Sequence, residues 1–309
     1  MSEAMRDAFG KKLAELGAVN KNLVVLDADV SSSTKSSIFG KAYPDRFFNC
    51  GVSEGNMAGV AAGLAAGGFH PVINTFSIFI TLKCLDQIRH DFCYNKLPVV
   101  VAAAYGGFSD SFDGASHQTI EDISIMRSLP NMEVIVPGDA AQAGLALEYA
   151  LSKTTPVFIR LNRNAFPNLS DSSGFTEKKP ILLQSGKNLS IAANGITIHA
   201  ALEAAKILEK EGVTSDVFST PFVKPFNPGP LLDSVKKTGK LITVEEHSIL
   251  GGAGSAAVEQ LTQKGIAFTW KPIGVKDVFG DTGPYNELLK AYKLDAESIA
   301  EEGRNFAKN

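Results

Sequence analysis

Val72-Ile73-Asn74-Thr75 and Val99-Val100-Val101-Ala102-Ala103 stand on either side of Ile80 to Phe92, and these three stretches decide the fold. Two short apolar runs rich in β-branched residues enclose a longer segment whose apolar positions recur at three and four residues. That alternation is the pattern of a βαβ unit on a parallel sheet. It extends both ways along the chain, with further strands expected at Leu23 to Leu26, Glu133 to Val136 and Val157 to Leu161. Further crossover helices are expected at Glu54 to Ala66 and Ala140 to Leu151. From Ala165 to Asn188 the pattern breaks into Pro, Asn, Ser, Asp and Gly, the composition of a surface linker. Alternation then resumes, with strands near Leu189 to Ala193, Ser215 to Phe218, Leu241 to Val244 and Phe268 to Pro272, and helices near Thr197 to Glu211 and Gly252 to Gln263. The fold class expected is α/β with two domains. Residues 1–168 would form a parallel sheet with helices on both faces, 169–188 a linker, and 189–309 a smaller α/β domain.

The 309 residues carry a net charge of −3 with no basic patch and no run of like charge, so the electrostatic footprint of a nucleic-acid or anionic-membrane binder is missing. No window approaches the ~20 apolar residues of a membrane span, and the start Met1-Ser2-Glu3-Ala4-Met5-Arg6 is no targeting segment, so the expected location is the cytoplasm. Cys50, Cys84 and Cys93 are scattered and never paired as C-x-x-C, which points to small buried apolar residues. His70, His90, His117, His199 and His247 stand too far apart for ligand spacing, so no metal site built by this chain is expected.

Three stretches carry chemistry. In Cys50-Gly51-Val52-Ser53-Glu54-Gly55-Asn56-Met57 a glutamate flanked by small residues opens a small-residue helix, where it is placed poorly for packing and well for a ligand. In isolation such a carboxylate is more often a dipole-complementing cap. Asn74-Thr75-Phe76-Ser77-Ile78-Phe79 ends a strand in two aromatics three apart, which can equally be one face of a core helix. Ser111-Phe112-Asp113-Gly114-Ala115-Ser116-His117-Gln118 is a polar, Gly-broken loop after a strand, where α/β folds place ligands. Asp113 and His117 can also be a surface pair of no consequence.

Taken in order, these stretches resemble the pyrimidine-binding domain of the transketolase family: Gly-x-x-Glu-x-Asn-Met, then Thr-Phe-x-x-Phe, then Asp-Gly-x-x-His-Gln. Further matches are Arg127-Ser128-Leu129-Pro130-Asn131-Met132 with Val136-Pro137-Gly138-Asp139-Ala140, and Val244-Glu245-Glu246-His247-Ser248 with Gly251-Gly252-Ala253-Gly254-Ser255. Phe279-Gly280-Asp281-Thr282-Gly283 is similar to the stretch that closes the family's C-terminal domain. The family's diphosphate-binding Gly-Asp-Gly domain has no counterpart here, and Gly138-Asp139-Ala140 lies inside a segment already matched to the pyrimidine domain. The resemblance therefore implies the C-terminal (β) subunit of a two-subunit transketolase.

That resemblance implies thiamine diphosphate as cofactor, with magnesium bound mainly by an N-terminal (α) partner subunit in an α2β2 assembly, and transfer of a two-carbon ketol unit from a ketose to an aldose. Glu54 and His117 match the family's catalytic residues, Glu54 hydrogen-bonding the aminopyrimidine ring in a mostly apolar, water-poor setting. Phe76, Phe79 and Asp29 match cofactor-binding positions, Phe79 as the better stacking partner. Asp113 and His117 match the pair that reads the sugar. Arg163, Ser33 and Arg6 align with residues that hold the phosphate of a sugar phosphate, a role suited to the planar guanidinium fork. Tyr105 departs from the family, which has a phosphate-binding histidine there, and Phe108-Ser109-Asp110-Ser111-Phe112-Asp113 departs where the family places Gly-Glu before the aspartate. These departures suggest an uncommon sugar phosphate, or a sulfonated or differently branched ketose. The second domain is expected to brace the dimer and contribute little to the active site. The alternatives are the β-subunit of a 2-oxo-acid dehydrogenase, a deoxyxylulose phosphate synthase, disfavoured by chain length, and a relative that kept the fold without the chemistry.

Overall fold

Strands form where unbroken β-branched runs occur, and the computed structural model, which describes residues 2–170 and 172–308, has fourteen of them among those residues. They are β1 (Glu3–Ala4), β2 (Leu23–Asp27), β3 (Phe47–Asn49), β4 (His70–Phe76), β5 (Val100–Ala104), β6 (Glu133–Ile135), β7 (Val157–Arg160), β8 (Ala165–Phe166), β9 (Ile181–Gln184), β10 (Leu189–Ala193), β11 (Ser215–Ser219), β12 (Phe222–Lys224), β13 (Lys240–Ser248) and β14 (Thr269–Val275). The first sheet runs β12-β6-β7-β5-β4-β2-β3 and is parallel except for β12. β2, β5 and β7 are buried at every residue, because helices cover both faces and leave no solvent side to alternate towards. Helices Glu54–Ala66 and Asp122–Ser128 supply Met57, Ala61, Ile123 and Met126 to one core cluster, and helices Met5–Val19 and Ala140–Leu151 supply Phe9, Leu13, Ala143 and Leu147 to another.

The second sheet runs β14-β13-β10-β11-β9, parallel except for β9 against β11. The stretch 169–188, expected as linker, holds β9, whose three apolar residues Ile181-Leu182-Leu183 are too short a run among Ser, Lys and Pro to read as a strand. β12 crosses back from the second domain's part of the chain to pair with β6 in the first sheet. Ile80 to Phe92, expected as one helix, is helix Ser77–Lys83, a turn at Leu85–Gln87 and a π-helical segment Ile88–Tyr94. The wider π repeat puts Ile88, Phe92 and Cys93 together on the buried face. Among the described residues no helix is long and apolar enough to cross a membrane.

A buried polar network joins the two sheets. Arg160, at the end of β7 and 6% exposed, donates from Nε to Asp122 Oδ2 (2.7 Å) and from Nη2 to the carbonyls of Thr119 and Glu246 (both 2.9 Å). Asp122 also accepts from Ser77 Oγ (2.7 Å), at the first turn after β4. Glu246 accepts from Phe108 N–H, Tyr285 hydroxyl and Asn162 Nδ2. His247 is fully buried near Asp122, Glu245 and Arg160, and burial pushes its pKa down to about 4. The folded chain therefore keeps His247 neutral while the unfolded chain protonates it below its ordinary 6.5. Stability from this group is complete above that value and is lost as pH falls towards 4, by about 3 kcal/mol in all. Urea unfolding of wild type and His247→Gln at pH 7 and pH 5 should show the larger acid loss in wild type. Equal losses would remove His247 from the acid response.

Candidate active site

Ligands of open parallel sheets gather beyond the carboxyl ends of the strands, at the point where the strand order reverses. Here β3 leaves to one side of β2 and β4 returns on the other, so the reversal lies between β2 and β4. Asp29 and Ser33 follow β2, Glu54 follows β3, Phe76 ends β4 with Phe79 three residues on, Tyr105 and the loop carrying Asp113 and His117 follow β5, and Arg163 follows β7. The sheet thus delivers eight of the nine expected residues to one end, and Arg6 joins them from helix Met5–Val19.

Glu54 is the first residue of its helix and is 5% exposed. The Phe76 and Phe79 rings lie 5.8 Å apart and near-parallel at 29°, and the His117 ring stands edge-on to Phe79 at 5.1 Å. The mostly apolar setting expected for Glu54 also contains a cation. Lys83 Nζ, one helical turn beyond Phe79, donates to Glu54 Oε1 at 2.9 Å and sits 4.1 Å from the Phe79 ring centroid. An acid that ends up buried needs a partner, and helix Ser77–Lys83 supplies one. His117 Nδ1 is 2.9 Å from Ser116 Oγ, which biases its ring orientation.

A second constellation centres on Tyr105, 4% exposed and held at φ 63°, a left-handed conformation uncommon for a bulky residue and frequent where function fixes the backbone. Arg6 donates to its hydroxyl and to the Ser33 carbonyl (3.2 Å), so Arg6 and Ser33 do meet. The guanidiniums of Arg6 and Arg163 lie 5.4 and 5.1 Å from the Tyr105 ring centroid, and Phe76 packs on the same ring at 4.5 Å. Tyr105 therefore connects the end-group residues to the aromatic pair. Arg163 Nη1 donates to Asp110 Oδ1 at 3.0 Å. Burial and neighbouring Asp113 push the Asp110 carboxyl up, and Arg163 opposes them. Asp29 stands apart from both groups, exposed at φ 65° and accepting from Asn49 Nδ2 at 2.8 Å.

The second domain does more at this site than the expected bracing. Gly283 N–H donates to the Ser111 carbonyl (3.1 Å) and Gln118 Nε2 to the Asp281 carbonyl (2.8 Å), so Phe279 to Gly283 frames the Asp113–His117 turn. Gly114 has φ 72° and a Cβ there would strike Thr282 Oγ1, which explains why the turn needs glycine. Lys83, Asp110, Ser77 and Asp122 escaped sequence reading, because each takes its role from a partner at least 29 residues away. Cys84 and Cys93 are buried, and burial pushes their thiols up to about 12 and about 11, leaving them poor nucleophiles. Among the described residues no group of three or more His, Cys, Asp or Glu is placed to hold a metal ion.

A buried carboxylate beside two stacked phenylalanines at a sheet reversal point offers a hydrogen-bonding edge and a stacking face to a planar nitrogen heterocycle. Comparison with known families agrees: the pyrimidine binding domain of transketolase matches residues 2–168 and the transketolase C-terminal domain matches 178–299, so the chain belongs to the transketolase family. It is 40% identical over 303 residues to a Methanocaldococcus jannaschii protein provisionally called a transketolase C-terminal section, covering 96% of this chain and 94% of that one. It is 36% identical over 296 residues to the 6-deoxy-6-sulfo-D-fructose transketolase subunit SqwH of Clostridium sp. strain MSTE9, covering 96% and 92%. A solved split-gene transketolase, an inactive β4 tetramer, superposes with a TM-score of 0.90 at 41% identity, covering 100% and 99%. The 1-deoxy-D-xylulose-5-phosphate synthase 1 of Geobacter sulfurreducens is 36% identical over 297 residues, spanning 94% of this chain but 46% of the synthase.

Proposed function

We propose that this chain is the C-terminal (β) subunit of a cytoplasmic two-subunit transketolase, dependent on thiamine diphosphate and active only in an α2β2 assembly with an N-terminal partner. In this reading residues 1–168 are the pyrimidine-binding domain, 169–188 the connection and 189–309 the C-terminal domain, and magnesium sits mainly on the partner. The observation that carries it is Glu54, a carboxylate 5% exposed at a helix start beside the Phe76–Phe79 pair. These residues fit an aminopyrimidine ring: Glu54 for its edge, the phenylalanines for its face. When bound, thiamine diphosphate supplies the nucleophilic centre for ketol transfer.

The rest falls to the chain's own side chains. Glu54 holds a proton against the ring nitrogen and must first release Lys83, whose half-exposed ammonium can turn to water. Asp113 accepts from a substrate hydroxyl, and His117, steadied by Ser116, orients the sugar and moves a proton at its hydroxyl oxygen. Arg6, Ser33 and Arg163 receive an anionic end group, and similarity to a sulfofructose transketolase subunit supports a sulfonated as well as a phosphorylated sugar. Asp29 is assigned to the cofactor across the subunit interface. Arg163→Ala should raise KM for anionic donors by the value of a charged hydrogen bond, ~1.5–3 kcal/mol or roughly ten- to hundredfold. An unchanged KM would remove Arg163 from the site.

The deciding experiment is steady-state ketol transfer by this chain co-expressed with an N-terminal transketolase subunit, with thiamine diphosphate and magnesium. Activity that needs both chains supports the reading, and activity of this chain alone overturns it. The synthase relatives favour a second reading, in which the pair forms 1-deoxy-D-xylulose 5-phosphate. Formation of that product in the same assay separates the two.

A further inference from the structure

Asp110 has no counterpart in the role the resemblance assigns to this loop. It is 1% exposed, and Arg163 is its hydrogen-bonded cation. Its second oxygen is buried without a hydrogen-bond partner among the described residues, and so is Arg6 Nε. The end-group constellation thus contains two guanidiniums and one buried carboxylate. Tyr105 adds no charge, and its hydroxyl already accepts from Arg6, leaving one hydrogen bond to donate.

These three groups leave one net positive charge to meet a ligand, and Asp7, 3.9 Å from Arg6 Nε, does not change that sum because Lys35 pairs with it at 3.7 Å. A phosphate monoester carries about −1.5 to −2 at neutral pH, so its second charge would face Asp110, with Asp113 close behind, where burial leaves little water to screen it. A sulfonate carries one charge and leaves the Arg163–Asp110 pair intact. Three tetrahedral oxygens remain to take Arg6 Nε and the Tyr105 hydroxyl.

We infer that Asp110 is a specificity-determining residue which makes this site prefer a singly charged end group, such as a sulfonate, over a doubly charged phosphate. The inference rests on the ketol-transfer reading above and names the substrate class of that same site.

The test uses the chain co-expressed with its N-terminal partner and measures kcat/KM at pH 7.5 for fructose 6-phosphate and 6-deoxy-6-sulfofructose on each preparation. The ratio of the two cancels differences in the amount of folded enzyme. Wild type should favour the sulfonated donor by about tenfold or more, and Asp110→Asn should move the ratio towards phosphate by a similar factor. Asp110→Ser provides a second removal of the charge should the asparagine variant fold poorly. A wild type that prefers phosphate, or a ratio that stays within about twofold of wild type in the folded variants, would overturn the inference while leaving ketol transfer standing. Transfer from neither donor would overturn the functional reading and this inference with it.

Discussion

Glu54→Gln in the two-subunit enzyme lowers kcat for ketol transfer by about 10²–10⁴-fold, the range of a lost general acid–base contribution, while the chain keeps its fold. Glutamine keeps the length and the hydrogen bond from Lys83 to a side-chain oxygen but cannot exchange a proton with the ring. Because Glu54 stands at the helix start with only Lys83 as a hydrogen-bond partner among the described residues, its removal costs little packing. The loss should therefore appear in kcat with Tm nearly unchanged, and cofactor binding measured by titration should weaken in parallel. Full activity in the variant would sink the proposed role of the carboxylate. Lys83→Met is the instructive companion: removing the ammonium frees Glu54 of its competitor, so cofactor affinity should not fall.

Much of this was legible before any coordinate was known, and for a physical reason. Glu54, Phe76 and Phe79 lie within five residues of a strand end, and Asp113 and His117 share one continuous loop after β5, so the expected site residues are readable as local motifs. Lys83 and Asp110 are not, because their roles come from partners that the topology brings in from 29 and 53 positions away. The sheet itself followed from β-branched runs, but β12 did not, since three residues that complete another domain's sheet edge carry no periodicity of their own. Helix Met5–Val19 was missed for a different reason: its apolar positions are diluted by Gly10, Gly17 and several charges, and Met5, Phe9 and Leu13 are the large apolar residues of its buried face. Arg160 carried no expectation, yet as a charge ending the apolar run Val157–Ile159 it is an anomaly in a buried strand. Such a residue must be paired or the strand would not be buried there.

That anomaly carries the second large expectation. Arg160→Met leaves Asp122, 0% exposed, as an uncompensated buried charge, and breaking a buried pair from one side costs ~3–5 kcal/mol. The variant should lose that much in urea unfolding. The carbonyl of Glu246 loses its Arg160 donor as well, and that of Thr119 keeps only the Gly107 N–H, which adds to the cost. Asp122→Asn in the Arg160→Met background removes the stranded charge and should restore part of the loss, though not all, because both carbonyls stay without the Arg160 donor. If the double variant were no more stable than Arg160→Met, the charge would not be the source of the cost. The same pair bears on activity, since Asp122 also holds Ser77 at the turn between Phe76 and Phe79. Loss of the pair should therefore weaken cofactor binding in chains that remain folded at low temperature, whereas a purely structural strut would lower Tm and leave the binding constant alone.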